Sequence, residues 1–65
     1  MLKTEAEREA IRLWRDLPKH ERKSNEQAAA FALKIKDDIP FETSADHYQI
    51  IKNWLQRDLA LRGGL

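Results

Sequence analysis

The sequence predicts an all-α fold, a compact three-helix domain formed by residues 1–65, with helices at about 5–17, 25–37 and 45–62. Three observations carry this expectation. Alanine and leucine, both strong helix formers, supply 16 of the 27 apolar residues. Valine is absent and threonine occurs only at Thr4 and Thr43, a palette poor in the residues that suit a pleated sheet. Apolar positions also recur at three- and four-residue spacing in three blocks, punctuated by Pro18, Pro40 and the Gly63-Gly64 pair.

The first helix is expected to open at Thr4, because Glu7 three residues later completes the pattern of a capping box. Leu2, Ala6, Ala10, Leu13 and Leu17 form its apolar stripe, with Trp14 on the edge and Ile11 farther round. Pro18 ends it, since the residue before a proline is driven out of the helical region. A second box, Ser24 with Gln27, starts the next helix near Asn25. Its stripe is Ala28, Phe31, Ala32, Ile35 and Ile39, with Ala29 and Leu33 beside it. Asp37 and Asp38 sit against the negative end of the helix dipole and Pro40 forbids continuation. Phe41 is expected to plug a gap between helices from the loop. Thr43 or Ser44 should cap the third helix, with Asp46 in its first turn and Gly63-Gly64 as its stop.

Composition narrows the function. A chain of 65 residues has little core to stabilise it, and without cysteine it has neither disulfides nor a zinc knuckle, which leaves association as the available support. No apolar run is long enough for a membrane span, so no membrane role is expected. The lack of cysteine fits a reducing compartment, and the cytoplasm is the expected location. His20 and His47 lie in separate connections without a second ligand at metal spacing, and both read as surface histidines. Ser24 and Ser44 read as caps rather than nucleophiles. No catalytic residue, no metal and no cofactor is expected, and the protein is not expected to be an enzyme.

Helix three carries more apolar residues than one core stripe needs. Tyr48, Ile51, Leu55 and Leu59 make one arc, and Ile50, Trp54 and Leu61 make a second. Either Trp54 lies between the other two helices, or Ile50, Trp54 and Leu61, joined by Ile11 and Trp14 from helix one, form an exposed patch. The expectation adopted is the second: a non-catalytic interaction module that binds another copy of itself or a partner protein through helix three. The alternative is a small nucleic-acid-binding regulator. Its candidate residues are Arg12, Arg15, Lys19, Arg22 and Lys23, with Asn25 and Gln27 at the tip of helix two. The overall charge of +1 does not by itself favour that alternative.

Overall fold

The computed structural model describes residues 2–63 and places them in three helices, α1 (Lys3–Arg15), α2 (Asn25–Ile35) and α3 (His47–Asp58). A short 3₁₀ turn, Lys19–Glu21, lies between α1 and α2, and a π-type turn, Leu59–Gly63, follows α3. The fold is the all-α three-helix arrangement that the sequence predicts, with an extent of 33 × 18 × 17 Å. Gly64, and with it part of the expected glycine stop, lies outside the described residues.

α2 starts at Asn25 as expected, four other helix ends depart from expectation by two residues, and α3 ends at Asp58, four short of the expected 62, where the chain passes into the Leu59–Gly63 turn. α1 begins before Thr4: Leu2 is the N-cap without a side-chain bond, and the Ala6 amide donates to the Leu2 carbonyl at 2.9 Å. Neither Leu2 nor Lys3 is a helix breaker, so the helix takes in that turn and Thr4 is an ordinary helical residue and not a cap. At the other end α1 stops at Arg15, two residues short of the expected 17. Pro18 (φ −57°, ψ 152°) excludes a helical Leu17, whose amide instead donates to the Trp14 carbonyl at 3.2 Å.

The capping box of α2 is complete. Ser24 Oγ accepts from the Gln27 amide at 3.1 Å, and Gln27 Oε1 accepts from the Ser24 amide at 3.2 Å. The same oxygen accepts from the Lys23 amide, while Gln27 Nε2 donates to the His20 carbonyl at 2.8 Å. α2 ends at Ile35, ahead of the two aspartates that its dipole disfavours. α3 is capped by Asp46, not by Thr43 or Ser44, through a bond from the Gln49 amide. Thr43 Oγ1 accepts from the Ala45 amide and so shapes the turn leading into the cap.

The core joins Ala6, Ala10 and Trp14 of α1 to Ala28, Ala32 and Ile35 of α2 and to Ile51, Trp54 and Leu55 of α3, with Leu59 from the turn beyond. Ile39 and Phe41 close it from the α2–α3 connection, as expected for Phe41. The buried face of α1 is rotated from the expected stripe. Trp14 is 1% exposed, whereas Leu13 and Leu17 are half-buried and Leu2 is exposed. Two alanines at Ala6 and Ala10 let α1 approach closely, and the large indole of Trp14 fills the space this leaves near the end of the helix, meeting Phe31 with ring centres 5.8 Å apart.

Candidate interaction surface

Both tryptophans of the expected patch are core residues. Trp54 is 7% exposed and packs on Phe41, ring centres 5.3 Å apart, so the indole at the centre of the second apolar arc faces the α2–α3 connection and not solvent. Trp14 is inside as well, which corrects the expectation that it borders an exposed face. Ile50 and Ile11 are half-buried against the core, and Leu61 alone of the five is exposed. The structure therefore does not bring these residues together as one apolar surface.

Along α1 an open depression of about 620 Å³ runs past Ile11 and the arginines at positions 8, 12 and 15. Its charges are largely satisfied within the chain. Arg57 Nη2 donates to Glu7 Oε2 at 2.7 Å, and Arg15 Nη2 donates to Asp58 Oδ1 at 2.8 Å. Arg12 binds Glu9 and reaches Asp16 at 3.7 Å. The Arg12 guanidinium holds the Glu9 carboxyl below its usual value, through the hydrogen bond first and the charge second, and Arg12 is raised in return. Arg62 approaches the same Asp58 oxygen at 3.7 Å. Asp58, about nine-tenths buried, is thus a tie between α1 and the end of α3.

The residues proposed for nucleic acid are similarly occupied. Arg12 and Arg15 are in the ion pairs above, Arg22 Nε donates to the Leu17 carbonyl at 2.8 Å, and Gln27 is spent on the capping box and on His20. Lys19, Lys23 and Asn25 are exposed, with no side-chain bond among the described residues. His47 is half-buried rather than a surface residue. Its Nε2 lies 2.6 Å from the Phe41 carbonyl and its ring stands edge-on to Phe41, pinning the connection onto α3. Among the described residues no group of three His, Cys, Asp or Glu side chains is placed to hold a metal ion, and no helix is long and apolar enough to cross a membrane.

The outer face of α2 is different. Its first turn is locked by the complete capping box, and its inner row, Ala28, Ala32 and Ile35, is fixed in the core. Opposite that row lie Glu26, Ala29, Ala30, Leu33 and Lys34, of which all but the half-buried Ala29 are exposed. Leu33 is 57% exposed in the last turn of this helix, and the neighbouring alanines are too short to cover it. No ion pair among the described residues uses Glu26 or Lys34. A smaller depression of about 250 Å³ adjoins the face, where Ala30 and Lys34 meet the half-buried Leu17 and Phe31. The signal for this face was present in the placement of Ala29 and Leu33 beside the main stripe. What the sequence did not show is that, among the described residues, Leu33 is left exposed.

Comparison with family models, with curated proteins and with solved structures finds no match to this chain.

Proposed function

We propose that this chain is a non-catalytic protein-binding domain that docks through the outer face of α2, with Leu33 as its apolar centre. The observation that carries the reading is the exposure of Leu33 on a helix held rigid by caps and core. A preorganised face of this kind loses little conformational entropy when a partner covers it. The α3 patch is a weaker basis, because its two tryptophans are already used to hold the core together. The alternative at the basic stretch rests on Lys19, Lys23 and Asn25 alone once the intrachain bonds are set aside.

Site-specific photo-crosslinking in a cell extract tests the reading. A photo-reactive amino acid placed at Lys34 should give a discrete protein adduct that disappears on Leu33→Asp. The same probe at Asn53, on the exposed side of α3, should give none. Adducts at Asn53 with none at Lys34 would refute the assignment of the docking face.

A further inference from the structure

The charges on the outer face of α2 have an order that selects a partner. Glu26, Ala30 and Lys34 are spaced four residues apart and form one row along the helix, while Ala29 and Leu33 belong to the adjacent row. Eight residues separate Glu26 from Lys34, about 12 Å along the axis, so the two cannot pair within their own helix. Neither enters an ion pair elsewhere among the described residues. Read in either direction, the row is charge, alanine, opposite charge.

From this, and resting on the reading of α2 as the docking face, we infer that the occupant is a second copy of this chain. The two α2 helices pack antiparallel across a two-fold axis beside Ala30, so that Glu26 of each copy meets Lys34 of the other. Helices whose four-residue rows interlock cross at about −50°, the commonest packing in globular proteins, and that crossing sets the two rows alongside each other. A two-fold contact uses one patch on both molecules, so the patch must be complementary to itself, and an antisymmetric charge row meets that condition. Alanine at the crossing point lets the backbones approach, and Leu33 of each copy then covers Ala29 and Ala30 of the other, removing the exposed leucine from water. A 65-residue chain without disulfides also gains stability from each copy it binds in the folded state.

Sedimentation equilibrium of the purified chain over a wide concentration range is the test. The mass should rise from 7.6 kDa toward twice that value. Glu26→Lys and Lys34→Glu should each weaken the dimer by about tenfold or more, because each places like charges together at two symmetric contacts. The double reversal E26K/K34E should restore most of the affinity, and Leu33→Asp should abolish association. All three positions are exposed, and circular dichroism will confirm that the variants remain folded. A mass of 7.6 kDa at every concentration, or a dimer indifferent to both single reversals, overturns the inference. The docking face itself is judged separately: adducts at Lys34 with a different protein would leave it standing while self-pairing fails.

Discussion

Asp58 shows how one residue can hold two helices together in a chain with so little core. Its carboxylate is about nine-tenths buried, Arg15 donates to it from α1, and Arg62 stands within ion-pair distance on the turn after α3. Removing the donor leaves a buried charge without its best partner, so Arg15→Ala should cost about 1–3 kcal/mol in urea unfolding. Arg12→Ala, on an exposed pair, should change stability far less. Trp14→Ala should cost about 3–5 kcal/mol, enough to unfold a domain this small, as thermal unfolding followed by circular dichroism would show. The depressed Glu9 carboxyl gives a pH dependence of known sign. Its small contribution is present above the ordinary carboxylate range and fades as pH falls through the lowered value, and Arg12→Ala should remove that part of the acid profile. Asp58 was legible in principle as an acid on the rows of Ile51, Trp54 and Leu55. Its partner was not, because Arg15 lies 43 residues away and only the packing of α1 on α3 brings them together.

Two segments with the same local pattern behave differently at the scale of the element. Thr4 with Glu7 and Ser24 with Gln27 both read as capping boxes, yet only the second forms. Upstream of Ser24 the chain is already committed to a turn: Pro18 is extended, and Arg22, at φ −137° and ψ 45°, is outside helical space. Before Thr4, Leu2 and Lys3 form no such block, and the helix extends through it. Ser24→Ala should therefore cost about 1 kcal/mol and Thr4→Ala only a few tenths, compared by thermal unfolding of the two variants. Capping chemistry is thus readable from sequence where a neighbouring breaker fixes the register, as at Ser24, and ambiguous where the helix can slide outward. The same limit explains the rotated stripe of α1. A period of 3.6 allows either the Leu13–Leu17 or the Ala10–Trp14 side to face inward, and the packing of Trp14 on Phe31 decides for the second.

Across the whole molecule the three helices were legible from punctuation and periodicity, whereas the wide apolar arc of α3 was not assignable. Its width has a topological cause. α3 is covered by α1, by α2 and by the connection carrying Ile39 and Phe41, so it needs more apolar circumference than a helix with two neighbours. α2 and α3 share the most extensive contact, and α1 and α2 barely meet outside Trp14 and Phe31. This asymmetry should divide the molecule into parts that open at different free energies. The amino-terminal half of α1, held by two alanines and the exposed Glu7–Arg57 pair, should exchange its amide hydrogens with solvent through a partial opening that leaves α2 and α3 docked. Amides of Ile51 to Leu55 should exchange only on global unfolding, and their protection should deepen with protein concentration if two copies associate. The first turns of α1 would then be a strap that lifts on its own, while its last turn, carrying Trp14 and Arg15, stays fastened to the rest until the molecule unfolds as a whole.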